Sequence, residues 1–499
     1  MKPSMLKKIS VYCTGALTGV VLSVSVQSFA NNEQNSLPVS ELRTFAEVYG
    51  KIKSDYVEPV TDDKLIQNAV KGMTSGLDPH SAYLTPTEFS ELKEGTSGEF
   101  GGLGIEIAPE DGYVKIIAPI EGTPAERAGV KSGDLIVKID ETQTRDISTN
   151  EAVKLMRGKP GTKVTLTLAR KDVNKPIVVS ITRAIIKTVS VRSKLIEPDY
   201  AYVRIAQFQE RTQESMVDAI VKMAEENKKP LKGLVIDLRD DPGGLLNGAV
   251  GVSAAFLPQG ALIVSTKGRR NDVQMRLTAT ASDYLIGRVK DPNSRLPAYI
   301  KDIPITILIN SGSASASEIV SGALQDHKRA VVVGTQSFGK GSVQSISPLS
   351  SGGGIKLTTA LYYTPNDRSI QAKGILPDVE VKDSNDRFEV READLGGHLA
   401  NPNGEEEVTT LKKKAEEASE PKDSSATSKD TKEDDKLSIE ERIKNAREPN
   451  PSKDPQLAKA LALIKAPDQW KQSLGLAAKA EKKVDEEKAK KADKTSTKK

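Results

Sequence analysis

The segment Asn310-Ser311-Gly312-Ser313-Ala314-Ser315-Ala316-Ser317-Glu318 sets four serines where an apolar run, Pro304 to Asn310, gives way to a helical pattern. A serine at a strand-to-helix junction stands on a sharp turn beside backbone N–H groups that lack helical partners. That is the placing a nucleophile needs next to an oxyanion hole. The same residues, Ser315 to Glu318, also spell a helix capping box, which requires no chemistry. On this segment alone both readings stand.

A second cluster runs from Gly334 through Ser337-Phe338-Gly339-Lys340-Gly341-Ser342 to Gln344. A phosphate-binding loop would require Ser or Thr directly after the lysine and then a helix. Here Gly341 follows, and Ser342 to Ile346 alternates like a strand, which argues against a nucleotide site. A lysine flanked by glycines on a buried turn loses solvation, so its pKa falls and its neutral amine can take a proton from a serine hydroxyl. The competing bases are His80, His327 and His398. His327 lies at the far end of the helix that follows Ser315, His80 falls in a helical prefix and His398 in a polar tail, so a histidine triad is the weaker expectation. A third turn, Asp237-Leu238-Arg239-Asp240-Asp241-Pro242-Gly243-Gly244, again ends a strand. It is a tight turn on the bland view; if the strands are neighbours, an N–H of Gly243 or Gly244 can join that of Ala316 around a negative oxygen. Its aspartates more readily cap the turn or pair with Arg239 than bind a metal.

These turns need elements to hold them. Strand patterns at Tyr202 to Phe208, Gly233 to Leu238, Ala261 to Ser265, Pro304 to Asn310 and Ala330 to Val333 alternate with helical ones at Gln213 to Glu226, Leu245 to Phe256 and Ser315 to Gln325, which predicts a layered α/β domain over about 188–382. Residues 99–187 read instead as short strands broken by Gly, Pro and Asp, with one helix from Thr149 to Met156. Before them, 31–98 is helical. Leu42, Phe45, Val48, Tyr49, Ile52 and Tyr56 recur at helical spacing, and a second helix runs from Asp62 to Met73. Packing or dimerisation is the expected use of this prefix.

The 499 residues are 37% hydrophobic and 28% charged, enough for ordinary cores plus a polar extension. Residues 1–30 read as a secretory signal: Lys2, Lys7 and Lys8 precede an apolar run from Ile9 to Val26, and Ser28-Phe29-Ala30 supplies small residues for cleavage. The alternative is an uncleaved anchor in the inner membrane, with peripheral membrane association. Cys13, the sole cysteine, lies in that run, so a processed chain has no thiol nucleophile. Without the three leader lysines 69 basic residues face 68 acidic ones, a balance that offers nothing to nucleic acid. The expected location is periplasmic. Residues 383–499 are dominated by Lys, Glu, Asp and Ser and predict a largely disordered tail. The exception is Gln456 to Ile464, a short amphipathic helix expected to dock on a partner or a second subunit.

Taken together, the motifs resemble those of the carboxyl-terminal processing peptidases, or tail-specific proteases, over roughly 39–382. Gly101-Gly102-Leu103-Gly104-Ile105 resembles the carboxylate-binding loop of a PDZ domain, and Thr123 to Val130 with Gly133-Asp134 its second signature. Leu238 to Gly244, Gly312 to Glu318 and Ser337 to Gln344 resemble the family's glycine turn, nucleophile turn and lysine motif. The resemblance implies an α/β (α+β) protease core with an inserted β-rich PDZ domain at 99–187. It implies a serine endopeptidase without metal or cofactor, in which Ser315 is the nucleophile and Lys340 the general base, and Gln344 holds the lysine by a hydrogen bond. The N–H groups of Leu103 and Gly104 would receive a substrate's terminal carboxylate, with Leu103, Ile105 and Ile107 lining an apolar pocket. Arg157, after the PDZ helix, is the candidate for a regulatory contact with the protease core. Implied partners are envelope proteins with exposed apolar C-termini, a helical-repeat adaptor and further copies of the chain. A non-catalytic PDZ scaffold on the same fold is the alternative.

Overall fold

The computed structural model describes residues 38–382 apart from 111, 172 and 288, together with 390–404 and 448–476. The leader at 1–30 therefore lies outside the described residues. Among the described residues no helix is long and apolar enough to cross a membrane. The chain divides into two compact units, 1–73 and 74–499.

The first unit contains α1 (Val39–Asp55) and most of α2 (Asp62–Ser75). Lys53 clips their connection by pairing with Asp62 at 2.6 Å and donating to the Val60 carbonyl. The heptad-like spacing of Leu42, Phe45, Val48 and Ile52 does produce one apolar face, yet α1 buries no residue and all four remain exposed.

The second unit opens with the turn Asp78 to Ser81, strand β1 (Ala82–Leu84) and α3 (Pro86–Ser97), whose N-cap Thr85 forms a reciprocal capping box with Glu88. A β-rich module follows. Strands β2 (Ile105–Glu110), β3 (Tyr113–Pro119), β4 (Leu135–Ile139), β5 (Lys163–Ala169) and β6 (Ile177–Thr182) form an antiparallel sheet in that order, with helix α4 at Thr149–Met156. Alternation places Ile116, Ile136, Ile139, Leu166, Leu168 and Ile181 in its core. Among the described residues strand β2 pairs only with β3, which leaves its other edge without a neighbouring strand.

The larger domain is built on a six-stranded sheet, β7 (Val191–Glu197), β8 (Tyr200–Ile205), β9 (Gly233–Asp237), β11 (Ile305–Ile309), β12 (Val331–Gly334) and β15 (Val379–Glu380), parallel except for the β7–β8 pair. Strands β9, β11 and β12 are buried along their whole length, as expected where both faces are covered. Leu234, Ile236 and Ile307 face one layer, where α5 (Thr212–Asn227), α6 (Leu246–Ala254) and α7 (Ala316–Asp326) pack. Val235, Leu308, Val331 and Val333 face the other.

That other layer corrects an expectation. The helix anticipated at 456–464 is present as α8 (Pro455–Lys465), followed by α9 (Pro467–Ser473), but its apolar residues do not await a partner. Leu457, Ala460, Leu461, Leu463, Ile464 and Trp470 are buried against the chain's own sheet. Trp470 donates its indole N–H to the Ile305 carbonyl, and a Cβ on Gly233 would lie 3.0 Å from Ile464. The sheet needs a second cover, and the tail supplies it. Residues 390–404 of the tail are likewise folded, with Glu392 buried and its N–H on the Phe338 carbonyl, and the remainder of 383–447 and 477–499 lies outside the described residues. A second, antiparallel sheet unites β1, β10 (Leu262–Gly268), β13 (Ser342–Pro348) and β14 (Gly354–Tyr363) with residues 276–278.

Candidate active site

Three neighbouring parallel strands end at one place. The turn after β9 carries 238–244, that after β11 carries 310–315, and that after β12 carries 335–341, which is where crevices form in open α/β sheets. Cross-links, buried and exposed, fix the first two turns to each other. Ser313 Oγ donates to the Leu238 carbonyl, Ser317 Oγ to that of Asp241, and Asn310 brackets Asp240 through its amide. Gly243, at φ +94°, lies so close that a Cβ there would stand 2.8 Å from both Ala316 N and Ser315 Cβ. No other residue type fits that approach.

The cross-links also sort the serines. Ser313 and Ser317 are fully buried and committed to carbonyls, whereas Ser311 lines the open cleft. Ser315 sits at φ 56° and ψ −110°, a conformation that costs a non-glycine residue about 1–3 kcal/mol and that the surrounding bonds must hold. Of the capping box, only one half is made at α7: the Ser315 N–H donates to Glu318 Oε2 at 2.7 Å, while the Ser315 hydroxyl does not cap the helix. It meets the Tyr362 hydroxyl instead.

Glu318 joins this turn to the lysine loop. Its fully buried carboxylate receives the Ser337 hydroxyl at 2.6 Å and the Gly339 N–H at 2.7 Å on Oε1, and the N–H groups of Ser315 and Lys340 on Oε2. Burial pushes the carboxyl up to about 7, and the four donors oppose that shift. Ser337 Oγ accepts from the Ile375 N–H, so its own proton must go to Glu318. With every position on the carboxylate taken by a donor, no lone pair is left to carry a proton, and Glu318 is ionised.

Lys340 itself is largely buried. Burial, followed by the charge of Lys356, pulls its amine below the ordinary lysine range, against Glu392, Glu318 and Asp78, which favour the protonated form. No hydrogen bond or ion pair engages Nζ among the described residues. Tyr362, buried on β14, donates its hydroxyl to the Lys340 carbonyl oxygen while its main-chain N–H bonds Gly341. An open cleft of about 470 Å³ lies in front, lined by Asp240, Pro242, Ala314, Phe338, Lys340 and Val390 among others.

Several expectations shift. Gln344 does not hold Lys340: its amide nitrogen donates to Ser342 and Thr358. The Gly243 N–H is occupied by Asp241 Oδ1 at 2.9 Å, so it is no oxyanion donor as it stands. The N–H groups of Gly244 and Ala316 have no acceptor among the described residues. Asp237 is held by Arg239, which also reaches Asp454 and Gln456 of the C-terminal helix; burial works to raise this carboxyl, but Arg239 and Arg204 outweigh it and keep it low. Arg157 contacts Glu94 at 3.7 Å and the ring of Phe100, not the 188–382 core. His327 donates to or accepts from nothing in the site and bonds the Leu262 carbonyl. Glu318 and Tyr362 were not singled out for these tasks by the sequence; the only signal for Glu318 was its place in the capping box.

In the β-rich module, Gly104 at φ +80° packs on Thr123, and Leu103 is buried with its carbonyl on the Ala125 N–H. The Leu103 and Gly104 N–H groups have no acceptor among the described residues, and Ile105 and Ile107 pack against the module's core.

Comparison with known proteins agrees with this architecture. The family model "Peptidase family S41" matches residues 199–381, a PDZ domain model 115–170, and the "Activating protease CtpB N-terminal domain" 12–87. A carboxy-terminal-processing protease of Bartonella bacilliformis is 45% identical over 382 residues, 76% of this chain and 83% of that protein. The chain belongs to the carboxyl-terminal processing peptidases. This peptidase is also 34% identical to a probable CtpA-like serine protease of Staphylococcus aureus over 75% of its own length and 72% of the relative's. Among solved structures, the photosystem II D1 C-terminal processing protease shares 28% identity, with a TM-score of 0.38 over 68% of this chain and 86% of that one. On the strength of the family models and the Bartonella relative, the present chain is a serine-type peptidase with a PDZ domain, and a non-catalytic scaffold is set aside.

Proposed function

We propose that this peptidase cleaves envelope proteins outside the cytoplasmic membrane, using Ser315 as nucleophile and Lys340 as general base, and that its PDZ domain captures their apolar C-termini. The observation that carries the reading is Glu318, whose one carboxylate holds the main chain of both residues while Lys340 is desolvated. The neutral amine takes the Ser315 proton as Oγ attacks the scissile carbonyl carbon. The resulting oxyanion is held by the N–H groups of Ala316 and Gly244. The ammonium then passes its proton to the departing amine, leaving an acyl ester on Ser315. Water, deprotonated by the same amine, hydrolyses that ester and restores the serine. The open edge of β2 fits an added peptide strand whose terminal carboxylate meets the Leu103 and Gly104 N–H groups. Export rests on the leader-like residues 1–30; an adaptor and self-association also belong to this proposal.

Purified enzyme with casein tests it. Ser315→Ala and Lys340→Ala each lose nearly all cleavage, the double variant loses little more, and Lys340→Arg is inactive because guanidinium stays charged. Wild-type activity rises with pH as Lys340 loses its proton, at a pH below that of an ordinary lysine because burial lowers the folded pKa. A folded Lys340→Ala enzyme that still cleaves casein overturns the assignment.

A further inference from the structure

His80 lies far from Ser315 in sequence and in a segment read as a helical prefix, yet the fold delivers it to the lysine loop. Its Nε2 lies 2.7 Å from Glu392 Oε2, with His80 15% and Glu392 1% exposed. The other carboxylate oxygen, Oε1, accepts from Gln371 Nε2 at 3.0 Å. Gln371, fully buried, turns its Oε1 to the N–H of Gly341, the residue next to Lys340. The Glu392 N–H closes the loop on the Phe338 carbonyl.

Proton bookkeeping orders this chain. A main-chain N–H can only donate, so Gly341 fixes the orientation of the Gln371 amide, and its NH2 must face Glu392 and the Leu399 carbonyl. Glu392 Oε1 therefore accepts. A carboxylate this deeply buried needs a partner on its other oxygen as well, and His80 is the group in place. His80 is set by the same turn: its N–H donates to Asp78, and Asp78 binds Thr358, which takes the Gln344 amide.

We propose that His80 is a positioning residue for the base: by engaging the buried Glu392 carboxylate it offsets a negative charge beside Lys340 and, through Gln371, fixes the main chain that carries the amine. The inference rests on the Ser/Lys reading above. The charged groups facing Lys340 are Glu392, Glu318 and Asp78, which favour its protonated form, and Lys356, which opposes it. Facing Glu392 are His80, Lys340 and the buried Tyr362 hydroxyl, whose ionisation the Glu392 charge disfavours, while its neighbour Arg391 is turned to Gln336 and Asp394 caps the Arg391 N–H. Removing the Glu392 charge therefore eases deprotonation of Lys340, and removing its histidine partner hinders it.

The test is the pH profile of kcat/KM on casein for the full chain and for Glu392→Gln, His80→Ala and His80→Gln, with Lys340→Ala in parallel and thermal unfolding as a check on folding. The rising limb moves to lower pH in Glu392→Gln and to higher pH in His80→Ala, each by on the order of one unit, which is a tenfold change in rate at a fixed pH below the limb. His80→Gln, which keeps an N–H donor, lies between His80→Ala and wild type. A purely structural role lowers rate or stability without moving the limb in opposite directions. The proposal is overturned if the limb stays in place in Glu392→Gln, a near-isosteric change that decides the matter even where His80 variants fail to fold, or if folded His80→Ala and Glu392→Gln shift together. Inactive Lys340→Ala beside unmoved limbs sinks this inference alone, whereas an active one sinks the Ser/Lys reading with it.

Discussion

The peptidase site and the PDZ edge are opposite solutions to holding polar backbone. Around Ser315, side chains from three strand ends satisfy the turn from every side, and a strained φ of 56° is kept because Glu318, Ser313, Ser317 and Gly243 leave it no alternative. Along β2 the opposite holds. One edge is paired with β3, and the Leu103 and Gly104 N–H groups have no acceptor among the described residues. Chemistry at a single bond needs a geometry fixed before substrate arrives. Capture of varied chain ends needs donors whose partner comes with the substrate.

Breaking the preorganised side has the largest effect. Glu318→Ala removes the acceptor for four donors, and the buried N–H groups of Gly339 and Lys340 are left unsatisfied at about 1–3 kcal/mol each. We expect severe destabilisation, read by thermal unfolding. Glu318→Gln keeps the shape but must present an NH2 to groups that only donate, so cleavage falls on the order of 100-fold as the serine and lysine drift apart. Full activity in Glu318→Gln would mean that the clasp is dispensable.

On the open side, the expected change is in binding alone. Amidating the terminal carboxylate of an apolar peptide weakens its binding to the enzyme by roughly tenfold or more, since a charge-assisted contact to two N–H groups is lost. Titration of the free and amidated peptides by calorimetry decides it; equal affinities would remove the carboxylate loop from recognition.

The smallest effect is expected at Arg157, which belongs to neither network. Its ion pair with Glu94 is half exposed and long, and its stacking on Phe100 is local. Arg157→Ala costs about 1 kcal/mol or less in unfolding free energy and leaves kcat within twofold. A larger loss of kcat would restore a regulatory role.

Short-range pattern was legible because its causes are local. The spacing of apolar residues marked helix Thr149–Met156 and strands at Leu135–Ile139 and Pro304 to Asn310, the latter observed as Ile305–Ile309, and glycine-rich turns at strand ends marked three places where chemistry could sit, which the family resemblance joined into one site. Composition also indicated a polar tail, but composition averages over the 390–404 and 448–476 stretches that fold. What covers a sheet depends on the face it leaves open, so whether α8 docks on this chain or on another could not be read from its own stripe.

The sequence by itself thus determined the elements, the turns that carry chemistry and the family to which they point, all consequences of neighbours within a few residues. Only the tertiary structure decided that Ser313 and Ser317 are spent on carbonyls, that Glu318 clasps two loops, that the Gly243 N–H is already taken, and that His80 and Glu392 meet 312 residues apart. The physical reason is the same in each case. A hydrogen bond or a charge pair between distant residues is set by how strands are ordered in a sheet, and nothing in the local spacing of either partner records it.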